Sequence, residues 1–348
     1  MERTTGTILY EKDAYTKCAM ASTTKILTAI IAIEKCELND MVLISKKAAQ
    51  TGGSTLGITA NTEMTMESLL YGLLLRSGND CAVAIAEYIG QNLDGFAKLM
   101  NKKAKEVGME KSNFVTPHGL DNENHYTTAY DMAILTEYAL QNEVFLKFVN
   151  TKEINIIING LERNLNNTHE LLGNVSGVYG VKTGFTGNAG RCLITAVKRD
   201  NLDIIIVILG ADTKKIRSSD TQKLINYIYN NYEMIDTYNL ISDDVMLEKI
   251  LNQIKIVKSV DKCVCNVDKR DNYIFPVNKN EISKLKMSIY ALSLVKAPIA
   301  EGTKVGEIRV MVSDNILYIL DVRVSKKMDR KTWNQYMIEI ILNFKNYF

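Results

Sequence analysis

Ser22-Thr23-Thr24-Lys25 places a hydroxyl and an amine three residues apart at the start of a strongly apolar stretch. On a helical turn, positions i and i+3 share a face, so the two side chains can meet. Serine is a weak nucleophile until a neighbouring base takes its proton. Lys25 can be that base only when neutral, which requires burial or a nearby cation to lower its pKa. Residues 26–33 are apolar on nearly every face, which predicts burial, and Lys182 is available as the second cation. Ser77-Gly78-Asn79 adds a hydroxyl that can pass a proton and an amide that can hold Lys25 or a substrate amide. Lys182-Thr183-Gly184 closes a strand whose backbone can run beside an extended peptide. Lys182 and Thr183 suit a carboxylate, and Gly184 leaves room for the substrate. The backbone N–H groups of Ser22 and Phe185 are the expected oxyanion donors. Each tripeptide or tetrapeptide alone is a commonplace cap, turn or strand exit. In this order, each in a fitting context, they point to acyl transfer through a serine ester, with no metal and no cofactor.

The elements that must position these groups can be read from periodicity. A central buried helix is expected from Ser22, then a loop over 55–62 and a helix over 64–75 with Leu69, Leu70, Leu73 and Leu74 inside. Turn chemistry at 77–80 precedes helices over 80–89, 94–107 and 131–140. Residues 1–21 read as one strand of a hairpin, including Thr7-Ile8-Leu9-Tyr10, followed by a turn. Beyond residue 150 the pattern turns to strands. Apolar runs at 178–183, 191–197 and 202–209 predict inner strands of one antiparallel sheet, covered by a helix over 216–230. Residues 232–243 read as a linker. Short β-type segments at 254–257, 287–294, 307–312 and 316–324, punctuated by Gly302 and Gly306, read as a small all-β domain. In the tail, Lys326, Lys327, Arg330 and Lys331 lead into Trp333, Met337, Ile340, Ile341, Phe344 and Phe348 at helical spacing. That is the pattern of an amphipathic helix lying in a membrane interface; a helix packed on its own domain or on a partner is the other reading. The expected fold is therefore α/β (α+β). A catalytic domain spans 1–235, a β-rich domain 244–324 and an amphipathic tail 325–348.

Bulk properties narrow the function. A chain of 348 residues holds two domains, or one large and one small. It is 46% hydrophobic and 24% charged, enough to bury a real core. Its net charge of +2 gives no footprint for nucleic-acid binding. The six cysteines match no disulfide framework, and the lone Cys263-Val264-Cys265 lacks the second pair of a zinc site. The start shows no signal peptide, and no apolar run is long enough to cross a membrane.

With these motifs in hand, the chain resembles the low-molecular-mass penicillin-binding proteins, the D-alanyl-D-alanine carboxypeptidases of serine peptidase family S11. Leu9-Tyr10-Glu11-Lys12, Met20-Ala21-Ser22-Thr23-Thr24-Lys25 and Pro117-His118-Gly119-Leu120-Asp121 look like its signatures. So do the run from His125 through Tyr126, Thr127, Thr128, Ala129, Tyr130, Asp131 and Met132 to Ala133, and the run Gly180-Val181-Lys182-Thr183-Gly184-Phe185-Thr186. The resemblance covers residues 3–230 strongly and 244–324 more weakly, and the variants nearest in character belong to Gram-positive spore formers, sporulation-linked members included. It implies a DD-peptidase/β-lactamase-like sheet flanked by helices. It implies Ser22 as acylated nucleophile, Lys25 as base, Ser77 and Asn79 as the second motif, and Lys182 and Thr183 as the carboxylate-binding strand. Arg217 matches an arginine that meets the terminal carboxylate in some members. Substrate and ligands would be the peptidoglycan stem peptide and β-lactams, with the tail as anchor on the membrane surface. Some members carry His after K-T-G, where Phe185 stands here. Family members are exported, so the expected location is the cell wall side of the plasma membrane, and a trimmed chain or a misplaced start codon accounts for the missing signal peptide.

Three other readings fit the sequence less well. A class A β-lactamase needs a Glu to activate the deacylating water, and Glu170-Leu171-Leu172-Gly173-Asn174 imitates its E-x-x-x-N pattern. Glu170 stands only twelve residues before Lys182, however, which is too close, and the second domain also argues against that class. A non-catalytic cell-wall-peptide binder would be marked by loss of Ser22 or Lys25, and both are present. A zinc peptidase lacks its H-E-x-x-H among His118, His125 and His169.

Overall fold

The computed structural model of this chain describes residues 1–236, 254, 256–259, 265–267, 274–292, 295–312 and 315–345. The chain divides into two compact units, Met1–Asn230 and Asn231–Phe348.

In the first unit, strands Val178–Thr186, Gly190–Arg199 and Leu202–Ala211 form an antiparallel sheet in chain order. The middle strand is buried continuously from Cys192 to Val197, which is why its sequence is an almost unbroken apolar run rather than an alternation. Helix Lys214–Asn231 buries Arg217, Thr221, Ile225 and Ile228, a stripe at helical spacing. Its Tyr229 hydroxyl is 2.8 Å from Val197 O and 3.0 Å from Leu202 O, so the helix lies over the sheet.

Helix Lys25–Lys35 is the centre of the helical part. Every residue from Lys25 to Ala32 is buried, as its all-round apolar character requires. Around it run Met66–Leu75, Asn79–Gly90, Leu93–Val107, Ala129–Leu140 and Glu143–Asn150. Side-chain caps start four of these: Thr65 accepts from Ser68 N, Asn92 from Gly95 N, Thr128 from Asp131 N and Asn142 from Phe145 N.

The N-terminal reading needs correction. Residues 7–10 are not a strand. Met1 O accepts from Ile205 N and Arg3 N donates to Asp203 O, so residues 1–3 take the sheet edge. The Glu2 carboxylate then accepts from Thr4 N and Thr5 N, which bends the chain off the sheet before residue 7.

In the second unit the sheet order is Cys265–Val267, Asn315–Val324, Lys304–Val312, Leu285–Ala291, all antiparallel. Val305, Ile308, Leu320, Val322 and Val324 form its core. Residues 232–236, read from the sequence as the start of a linker, are instead strand Tyr232–Asp236, paired with Ile274–Asn278. The rest of that linker, residues 244–253 and 293–294, Cys263 and Phe348 lie outside the described residues. Met328, read as part of the tail, is buried against the β core and bridges to Ile299. Helix Trp333–Lys345 follows, with Trp333, Met337, Ile338, Ile340, Ile341 and Leu342 exposed. Among the described residues, no helix is long and apolar enough to cross a membrane.

Candidate active site

Ser22 lies in a 3-10 turn, Ala21–Thr24, that becomes α-helical at Lys25. The sequence reading started the α-helix at Ser22; the tighter turn has a consequence. In 3-10 geometry residues i and i+3 eclipse, and Lys25 Nζ comes 2.8 Å from Ser22 Oγ. Ala21 holds a left-handed backbone at φ +48°, a conformation that costs a non-glycine residue about 1–2 kcal/mol. Two hydroxyls stabilise it: Thr23 Oγ1 donates to Met20 O at 2.6 Å and Thr24 Oγ1 to Ala21 O at 2.8 Å. Gly119, at φ +86°, packs on the same carbonyl, and a Cβ there would stand 1.9 Å from Ala21 O.

Lys25 is fully buried. Besides Ser22, its Nζ reaches Asn79 Oδ1 at 2.7 Å and His118 O at 2.8 Å. Burial, and then the charge of Lys182, hold its pKa well below the ordinary lysine value. In the neutral amine the two carbonyl oxygens take both N–H hydrogens, leaving the lone pair for the Ser22 hydroxyl.

The Ser77-Gly78-Asn79 turn is held by its own buried contacts. Asn79 N donates to Ser54 O at 2.7 Å, and Asn79 Nδ2 to Gly52 O at 2.8 Å. The buried Asp80 carboxylate accepts from the amides of Leu56, Gly57, Ile58 and Cys81. This ties loop 52–58 to the start of helix Asn79–Gly90. Ser77, at φ +61°, is buried beside it.

On the third element, Lys182 is 1% exposed and donates to Thr183 O at 3.0 Å. Burial first, and Arg217 second, bring its pKa down to about 7. Thr183 Oγ1 is 2.9 Å from Thr168 Oγ1. A Cβ on Gly184 would stand 3.1 Å from Ser22 N, so glycine allows the strand to pass this close to Ser22. Phe185 is 53% exposed, with the Arg191 guanidinium 3.6 Å from its ring centre.

Arg217 lies in the first turn of helix Lys214–Asn231. It is 3% exposed, its Nη2 donates to Glu170 Oε1, and its Nη1 is 3.4 Å from Cys192 O. Lys25 thus touches both Ser22 and Asn79, Gly184 packs on the backbone of Ser22, Lys182 acts on Lys25 through its charge, and Arg217 is held in an ion pair.

The sequence reading assigned no role to the segment 115–128, which clamps the Ala21–Thr24 turn. Thr28 Oγ1 donates to Pro117 O at 2.6 Å, and His118 offers its carbonyl to Lys25. His125 Nδ1 accepts from Val115 N at 3.1 Å, so Nε2 carries the hydrogen and donates to Thr24 Oγ1 at 2.8 Å. Burial pushes the His125 pKa down to about 4, which keeps that tautomer neutral. The signal was the histidine pair in a loop of otherwise ordinary turn residues; the backbone carbonyls left none. Among the described residues, no three His, Cys, Asp or Glu side chains are grouped to hold a metal.

The profile of the D-alanyl-D-alanine carboxypeptidase family, peptidase S11, matches residues 1–213. The chain is 34% identical over 337 residues to the D-alanyl-D-alanine carboxypeptidase DacF of Bacillus subtilis (strain 168), covering 95% of this chain and 84% of that one. It is 30% identical to DacC of Escherichia coli (strain K12), covering 88% and 78%. Among solved structures, DacD from Francisella tularensis aligns with a TM-score of 0.75 at 26% identity, covering 95% and 92%. Penicillin binding protein 5 from Haemophilus influenzae aligns with a TM-score of 0.77 at 25% identity, covering 95% and 96%.

Proposed function

This chain belongs to the D-alanyl-D-alanine carboxypeptidase family, peptidase S11, and from that premise we propose a division of labour among its residues. It is a serine-type D-Ala-D-Ala carboxypeptidase, a hydrolase of peptidoglycan stem peptides that β-lactams acylate. Ser22 Oγ attacks the carbonyl before the terminal D-Ala, and its proton passes to neutral Lys25. The backbone N–H groups of Ser22 and Phe185 hold the oxyanion. The C–N bond then breaks, the proton returns through Ser77 to the leaving nitrogen, and D-Ala departs. Water attacks the Ser22 ester, Lys25 takes its proton and passes it to the departing Ser22 Oγ, and the shortened peptide leaves as a carboxylate. Lys182 and Thr183 bind the terminal carboxylate, with Asn79 holding Lys25 in place. A β-lactam follows the first half of this path, but its amine stays tethered to the acyl group.

The observation that carries the reading is the environment of Lys25: buried, lowered in pKa, both N–H hydrogens taken, and 2.8 Å from Ser22 Oγ. A β-lactamase role for Glu170 is disfavoured because its carboxylate is engaged by Arg217 and Ser218 rather than free to activate water. The enzyme is further proposed to work outside the cytoplasm, with helix Trp333–Lys345 resting on the membrane through its exposed apolar residues. Ser22→Ala tests the assignment: loss of both penicillin labelling and D-Ala release is expected, and persistent labelling would remove Ser22 from the role.

A further inference from the structure

Glu170 and its E-x-x-x-N pattern have no part in the chemistry above, yet the structure gives this carboxylate a defined place. Oε1 accepts from Arg217 Nη2 and Ser218 Oγ, and Oε2 lies 3.9 Å from Lys214 Nζ. The pair ties the segment before the K-T-G strand to the start of helix Lys214–Asn231. Behind it, Arg217 is buried and reaches Cys192 O, the residue opposite Gly184 in the sheet.

Lys182 feels the charge of Arg217 and acts in turn on Lys25, and further charged or titratable groups face one or other of these three. Glu170 and His169, from the preceding segment, face Arg217, with Lys214 of the covering helix near Glu170; Asp80 and His118, from the helical side, face Lys25. His169 and His118 are held neutral, with pKa values lowered to about 4 and about 3 mainly by burial. Asp80 is committed to four backbone amides. Among the described residues, Glu170 is the carboxylate paired with Arg217.

We propose that Glu170 is a positioning residue that holds Arg217 in an ion pair and thereby keeps the buried Lys182 cationic for its carboxylate ligand. The inference rests on the reading of Lys182 as the carboxylate-binding cation. Its physical basis is simple repulsion. A buried lysine beside an unbalanced guanidinium loses its proton more easily than one beside a neutralised pair. With its pKa near 7, Lys182 is poised where that difference changes its charge at neutral pH.

The test reads Lys182 directly, by following its ε-carbon resonance against pH in lysine-labelled full-length protein, assigned by its absence in Lys182→Arg. In Glu170→Gln the midpoint falls by about one pH unit. In Glu170→Asp, which keeps the charge, it stays near the wild-type value. In Arg217→Met, which removes the repelling cation, it rises. Penicillin acylation measured on the same samples loses its alkaline limb at correspondingly lower pH in Glu170→Gln, about five- to tenfold slower near pH 7.5 for a one-unit shift. Identical midpoints in wild type and Glu170→Gln, or a fall in Arg217→Met, overturn the proposal. Absence of labelling at Ser22 in the wild type would strike the reading of the site instead, and the resonance titration still decides the role of Glu170.

Discussion

Replacing Asn79 by Asp probes the proposed role of Lys25 as base most sharply, because it changes charge with almost no change of shape. Asn79 Oδ1 sits 2.7 Å from Lys25 Nζ in a buried site. A carboxylate oxygen at that distance attracts an ammonium by about 6 kcal/mol at an effective dielectric of 20. Burying the new charge takes back several kcal/mol. If half the attraction survives, about 3 kcal/mol, the Lys25 pKa rises by about two units. The neutral fraction of Lys25 on the acid side of its titration then falls about 100-fold, and acylation falls with it. The assay is the second-order rate constant for labelling Ser22 with a fluorescent penicillin as a function of pH. A thermal melt confirms that loss of the Asn79–Gly52 hydrogen bond has not unfolded the protein. The acid limb of Asn79→Asp should lie about two pH units above that of wild type. Coincident acid limbs, or a deficit of equal size at every pH, would refute the view that Lys25 works as a neutral base held in that form by its surroundings.

Other consequences can be checked alongside. Thr24→Val leaves the His125 Nε2–H and the Ala21 carbonyl without their shared hydroxyl, which costs about 1–3 kcal/mol of stability. It should slow acylation by about 10- to 100-fold through displacement of Ser22, while Thr24→Ser restores both; an unaffected rate in Thr24→Val would dismiss the clamp. Stability should also fall on acidification. The pKa values of His125 and His169, lowered from 6.5 to about 4 on folding, mean that the unfolded chain binds more protons below pH 6.5. The melting temperature should therefore drop as pH falls from about 6.5 to 4, and a flat profile over that window would contradict neutral buried rings. Truncation after Lys331 keeps Met328 in the β core and removes helix Trp333–Lys345. Liposome binding should be lost with penicillin labelling unchanged, and equal partitioning of the two forms would refute the anchor.

Much of the site was legible because its chemistry is written in side chains. Ser22, Lys25, Ser77, Asn79 and Lys182 stand in short motifs, and the apolar run after Lys25 announced the burial that a lysine base needs. The strands of the main sheet were visible for the same reason: a strand buried on both faces, such as Gly190–Arg199, cannot alternate. What the residues did not reveal depends on backbone and on long-range pairing. The carbonyls of Pro117 and His118, and the left-handed Ala21, are positions that any side chain can occupy in a sequence. Thr7-Ile8-Leu9-Tyr10 has strand composition, yet the turn formed by Glu2 with Thr4 and Thr5 decides its path. Arg217 and Glu170 lie 47 positions apart, so their pairing, which buries the arginine, has no local signature.

The central claim is that Ser22 forms the acyl-enzyme of a carboxypeptidase rather than of a β-lactamase. Intact-protein mass followed over time after adding benzylpenicillin, with peptide mapping of the adduct, tests it most directly. The account predicts one adduct, on the peptide containing Ser22, persisting for many minutes. A return to the native mass within seconds while the drug is consumed, or an adduct on any other residue, would contradict it.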